Sequence, residues 1–131
     1  MKLTVNSLIV NNHKILVNTK EEDPFKGKLA LPHGELKNNE TLKEAAERIA
    51  IEKTGIEIKP VAMLGVYDAL DRDPNERNIG VVFICNPINE IKNLKEGYKF
   101  INKEEMNKNE FAFDQKKMLE SYFAIISLSK N

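Results

Sequence analysis

The stretch from Thr41 to Lys53 limits what this chain can become more than any other. Its apolar residues Leu42, Ala45, Ala46, Ile49 and Ala50 recur at i, i+3, i+4, i+7 and i+8, the spacing that lays one stripe along an α-helix. Thr41 followed by Glu44 is a capping box, which satisfies two of the backbone donors that open a helix. Gly55 supplies the stop, since glycine enters the left-handed conformation that ends helices. A striped helix must bury its stripe on another element, so the remaining chain has to provide a partner surface.

That surface reads as strands. Apolar runs at Leu3 to Val10 and Lys14 to Asn18 predict a hairpin turning at Asn11-Asn12. Lys20 to Lys28 is a polar loop, followed by a short strand at Leu29-Ala30-Leu31. Beyond the helix come strands at Ile56 to Lys59 and Val61 to Tyr67, a charged loop from Asp68 to Arg77, and a buried β-branched strand at Asn78 to Cys85. Asn86 to Gly97 is irregular, with a short helical turn expected at Glu90 to Leu94, and Tyr98 to Ile101 is a short strand. Phe113 to Leu128 predicts a second long helix, with Phe113, Met118, Leu119, Tyr122, Phe123 and Ile126 as its buried stripe. Strands interrupted by one central and one terminal helix give a mixed α/β or α+β sandwich. The 131 residues suit one domain spanning 1–131.

Composition narrows the function. Charged residues make up 31% of the chain and hydrophobic ones 41%, yet the formal net charge is zero. Nothing in the bulk charge draws the chain to nucleic acid or to a membrane surface. RNA binding through the lysines lacks both a basic excess and interleaved aromatic residues. The single cysteine, Cys85, lies in an apolar run and reads as a small buried hydrophobe, so disulfides are excluded. With no signal peptide and no run of about 18 apolar residues, a cytoplasmic protein is the expectation. Arginine is scarce: Arg48, Arg72 and Arg77 stand among many lysines. Guanidinium offers a planar fork of donors suited to phosphate or carboxylate, so each of the three is a candidate substrate contact.

From Gly34 to Ile56 the order is Gly34, five residues, Glu40, seven residues, Arg48, then Glu52, Gly55 and Ile56. This resembles the signature box of the Nudix hydrolases, in register and without insertion. Ala30-Leu31-Pro32, Leu64-Gly65-Val66-Tyr67 with Asp71-Arg72-Asp73-Pro74, and Phe111-Ala112-Phe113-Asp114 resemble the ADP-ribose pyrophosphatase branch of that family. The resemblance implies an α/β/α sandwich with a mixed sheet. It also implies hydrolysis of a nucleoside diphosphate linked to another moiety, with magnesium or manganese, and a possible homodimer. The family's helix glutamates share a metal because residues spaced by three and four fall on one helix face. Cations neutralise the diphosphate oxygens and position water for attack.

Here the pattern departs from the family. The three glutamate positions hold Ile49, Glu52 and Lys53, which leaves Glu52 as the expected metal ligand and catalytic carboxylate. Glu110 is the further catalytic candidate by location, with Glu104 and Glu105 beside it in sequence. Arg48, Lys53, Arg72 and Arg77 are the candidate substrate-binding residues. Arg48 and Glu52 are also spaced to bridge each other, and Arg72 and Arg77 to pair with Asp71, Asp73 and Glu76. His33 stands where the family usually has glycine, and reads as facing solvent or brushing substrate. Two functions stay open: a weak or altered Nudix hydrolase of an ADP-ribose-like molecule, or a catalytically silent nucleotide-binding module.

Overall fold

The computed structural model describes residues 1–129. Strands β1 (Lys2–Asn11) and β2 (Lys14–Thr19) form the hairpin, followed by β3 (Leu29–Ala30) and β4 (His33–Glu35). Helix α1 (Leu42–Thr54) leads to β5 (Ile58–Tyr67), β6 (Asn78–Pro87) and β7 (Tyr98–Ile101). Helices α2 (Lys103–Lys108) and α3 (Gln115–Ser129) close the chain. Seven strands form a mixed sheet with the main path β3-β2-β1-β6-β5, while β4 pairs with β1 and β7 with β2. β1 runs parallel to β6, and β5 runs antiparallel to β6.

The layers follow from the two-residue period of the strands. Val5 and Ile9 of β1, Leu16 of β2, and Val81, Phe83 and Cys85 of β6 pack with Ala45, Ala46, Ile49 and Ala50 of α1. Their neighbours Leu8, Ile15, Val17 and Val82 point the other way, onto Met118, Leu119 and Tyr122 of α3 and Met106 of α2. The result is helix, sheet, helix, the expected α/β/α sandwich. Thr41 and Glu44 close the capping box that starts α1, and Gly55 ends it at φ 75°. Cys85 is fully buried, and burial pushes its thiol up to about 12, so it is a packing residue. Among the described residues no helix is long and apolar enough to cross a membrane.

Several boundaries differ from the sequence reading. The hairpin turns at Asn12-His13, whose φ values of 52° and 64° are both left-handed, as a tight two-residue turn requires. The two strands expected around Pro60 are one, β5, with register shifts at Pro60/Ala62 and Met63/Gly65. A proline is tolerated there because β5 is the edge strand and its missing N–H costs no ladder bond. Glu90 to Leu94 forms no helix. Strand β4 escaped notice because it is three residues long. Helix α2 did too, since Met106 is its one buried residue. Phe113 precedes α3 and does not join its stripe.

One buried polar chain crosses the layers. Gln115, with no exposed surface, accepts from the Leu31 N–H at 2.8 Å and donates to Asn6 Oδ1 at 3.0 Å. Asn6 in turn donates to the Val81 carbonyl at 3.0 Å. Replacing Gln115 by Met keeps its length and removes both partners, leaving two buried groups unsatisfied at about 1–3 kcal/mol each. Gln115→Met is therefore expected to lower stability by roughly 2–6 kcal/mol, read as a fall in urea midpoint at an unchanged slope.

Candidate functional site

The box divides into a brace and a cleft wall. The brace is built on Arg48. Its Nε and Nη2 grip the Glu40 carboxylate at 2.9 and 2.6 Å, Nη1 donates to Glu52 at 2.7 Å, and Nη2 also reaches the Glu35 carbonyl at 2.9 Å. These hydrogen bonds hold the Glu40 carboxyl down at about 2 and hold Glu52 below its usual range. The arginine thus straps the loop before α1 onto the helix. Arg48, expected to bind substrate, has its donors committed to this strap. Glu52, expected to bind metal, is turned to Arg48 and lines neither of the cavities described below.

The other face of α1 turns toward β4. A Cβ on Gly34 would lie 3.2 Å from Ile49 Cγ1, so glycine is what lets the strand and helix approach this closely. Ile49 is 1% exposed and belongs to the core. Four residues on, exposed Lys53 joins His33 of β4 and Lys20 of the loop after β2 along the walls of two cavities, of about 340 and 260 Å³. The first is completed by residues 18–22 and by Glu96 and Tyr98, the second by Lys2, Glu35, Asp73, Glu76, Asn78 and Phe113.

His33 is fixed from behind. Its Nδ1 lies 2.8 Å from the Leu31 carbonyl. A carbonyl can only accept, so Nδ1 carries the proton and Nε2 is the acceptor of the neutral ring. The ring meets Phe113 edge-on at 5.8 Å, and Phe113 also packs on Phe25 at 4.8 Å and under the Lys20 ammonium at 5.6 Å. Burial lowers the His33 pKa against the pull of the Leu31 bond, and Lys20, Lys53 and Lys2 lower it further. Burial likewise lowers Lys20, with Lys2 and Lys53 adding to the effect.

The remaining candidates lie elsewhere. Arg72 is buried, with its side chain 2% exposed. It pairs with Asp114 at 3.0 Å, donates to the Asn78 carbonyl and lies over Phe113 at 5.5 Å. Arg77 donates to the Asp68 carbonyl at 2.7 Å. Neither arginine pairs with Asp71, Asp73 or Glu76, the partners their spacing suggested. Glu110 is exposed, bound to Lys28 at 3.2 Å, and lines neither cavity. Glu104 bridges Lys108, and Glu105 caps α2. Among the described residues no group of three or more His, Cys, Asp or Glu is placed to hold a metal ion. Lys20 and Lys2 were passed over in the sequence, where one lysine among many carries no signal.

The NUDIX domain family model matches residues 1–122. An ADP-ribose pyrophosphatase of Methanocaldococcus jannaschii is 37% identical over 124 residues, covering 92% of this chain and 72% of that relative. A NUDIX hydrolase structure from Nitrosomonas europaea superposes with a TM-score of 0.81 at 20% identity, covering 94% of this chain and 88% of that one. The NUDIX domain of Shewanella oneidensis NrtR, complexed with ADP ribose, gives 0.76 at 20% identity, covering 95% and 87%.

The electrostatics give a pH prediction. A lowered imidazole pKa means the fold favours the neutral ring. The stability this supplies is complete above the ordinary value of about 6.5 and is lost as pH falls through the folded value. NMR titration should place the His33 midpoint below about 6.5, and Lys20→Met or Lys53→Met should raise it. A midpoint unmoved by both substitutions would mean that the ammonium groups do not act on the ring.

Proposed function

The chain belongs to the NUDIX domain family, and on that premise we propose that it takes up a nucleoside diphosphate linked to a second moiety, of the ADP-ribose kind. The observation that carries this reading is the 37% identity to an ADP-ribose pyrophosphatase over 92% of the chain. The cleft around His33 supports it, because two adjoining cavities of about 340 and 260 Å³ suit a ligand of that size.

Magnesium or manganese is what the family would bring, and the donors here do not fit it. A hard dication asks for several oxygen ligands. Ile49 offers hydrocarbon, Lys53 offers an ammonium, and the Glu52 carboxylate is engaged by Arg48. Glu110 is directed at Lys28. The reading is therefore a protein that binds its nucleotide more readily than it cleaves it. The second reading, a hydrolase in full, draws on the activity named for the Methanocaldococcus jannaschii relative.

Calorimetric titration with ADP-ribose, with and without manganese, is expected to show saturable binding, while chromatography of the same mixtures shows little AMP. Rapid manganese-dependent turnover would favour the second reading, and no binding under either condition would end the assignment of this ligand class.

Rebuilding the three-glutamate face separates fold from chemistry. Ile49→Glu puts a carboxylate into the core and should cost several kcal/mol in the absence of a cation. Lys53→Glu alone, on an exposed position, should stay within about 0.5 kcal/mol. In the double variant, manganese should restore part of the lost melting temperature and raise hydrolysis of ADP-ribose. Recovery of stability without any gain in hydrolysis would show that the two carboxylates are not the sole missing parts.

A further inference from the structure

Lys20, His33 and Lys53 line both cavities, so they form the wall that the two share. Among the described residues neither Lys20 nor Lys53 takes part in an ion pair, whereas Lys2 is matched by Glu35 at 3.6 Å and Glu76 at 3.8 Å. Two unmatched ammonium groups facing one cleft repel each other, and the repulsion is strongest where water is thinned by a half-buried ring. Burial and the neighbouring lysines weaken the hold of Lys20 on its proton, against the pull of Glu22 and Asp23. An anion placed at the shared wall would turn this repulsion into attraction.

The rest of each cavity has the opposite sign. Glu96 lies in the first beside the half-buried Tyr98, and Glu76 lies in the second near Asn78. Carboxylates repel phosphate and accept hydrogen bonds from hydroxyl groups. Lys2 of the second cavity is matched by Glu35 and Glu76, so unmatched positive charge is concentrated at the junction, with hydroxyl acceptors on either side. A molecule that fits has its negative charge at the centre and polar, uncharged groups at both ends.

We propose that the junction is a metal-independent diphosphate site, in which Lys20 and Lys53 hold the two phosphoryl groups and each cavity receives one of the groups esterified to them. Lysine ammonium supplies three rotatable donors, and its bonds to phosphate oxygen are charge-assisted. His33, neutral and pinned to Leu31, lines the same wall without adding charge. Lys53 thereby occupies the place of a family carboxylate and supplies directly the positive charge that a bound cation would have supplied. The proposal rests on the reading above for the identity of the two ends, and not for the anion.

The test is calorimetric titration of the whole chain in EDTA with two probes, inorganic pyrophosphate and ADP-ribose. Both are expected to bind, ADP-ribose more tightly because it also fills the cavities. Lys53→Met and Lys20→Met should each weaken both by about 10- to 100-fold, the effect of losing a hydrogen bond to a charged group. Lys59→Met, on the exposed edge strand, should change neither. Binding of ADP-ribose only after manganese is added would overturn the proposal and leave the proposed function standing. Binding in EDTA that both lysine variants retain would overturn it too. Pyrophosphate binding in EDTA that depends on Lys53, without any binding of ADP-ribose, would uphold the anion site and refute the ligand class. Wild-type affinity in EDTA should also fall as salt is raised, a measurement that stands even if a variant does not fold.

Discussion

The backbone of Leu31 is held at both its N–H and its carbonyl, and the geometry of the cleft depends on that grip. Its N–H goes to Gln115 at the start of α3, and its carbonyl receives Nδ1 of His33 on β4. Gln115 continues through Asn6 to the Val81 carbonyl, so a single hydrogen-bonded chain joins the C-terminal helix, the two central strands and the cleft wall. Asn6 and Gln115 are fully buried, and each member of the chain is held by the others. The next residue adds a further tie, because the Pro32 carbonyl accepts from the Ser7 N–H at 2.9 Å. His33 leaves this framework with its ring orientation already determined.

A second fixed point lies where the loop from Asp68 to Arg77 meets the start of α3. Arg72 and Asp114 are 42 residues apart in sequence and paired almost out of solvent. Breaking such a pair strands a charge in the interior, so the loop and the helix start are bound to each other. Phe113 is shared by this pair and the cleft, with Arg72 at 5.5 Å, Lys20 at 5.6 Å and His33 at 5.8 Å from its ring centre. Its φ of 52° is unfavourable for an aromatic residue. The contacts with Phe25, His33, Lys20 and Arg72 hold it in that conformation.

The features legible in the sequence were those governed by local chemistry. The limits of α1 follow from Thr41, Glu44 and Gly55, and the central position of β6 from its unbroken apolar run. The site was less legible, since its parts are joined by long-range contacts that no spacing rule records. Arg72 was open to pairing with Asp71 and Asp73 or to binding substrate, yet the fold carries it to Asp114 instead. Glu52 was the expected metal ligand, and in the fold its carboxylate accepts from Arg48 and lines neither cavity. Lys20 lay in a polar loop with no pattern to distinguish it, and becomes informative only when the fold sets it beside Lys53.

The signature helix explains why family membership could be read with more ease than chemistry. Residues four apart on an α-helix share a face, while adjacent residues are turned by about 100°. Arg48 and Glu52 therefore share one face, and Ile49 and Lys53 share the next. The first pair, with Glu40, ties the loop to the helix and is part of what makes the fold. The second pair borders the cleft: Ile49 lies behind Gly34, and Lys53 forms part of the wall. Because different side chains serve the two faces, the cleft face can change its charge without loosening the brace. A box in register thus testifies to the brace and the fold it supports. What the cleft does has to be argued from Lys53, Lys20 and His33 themselves.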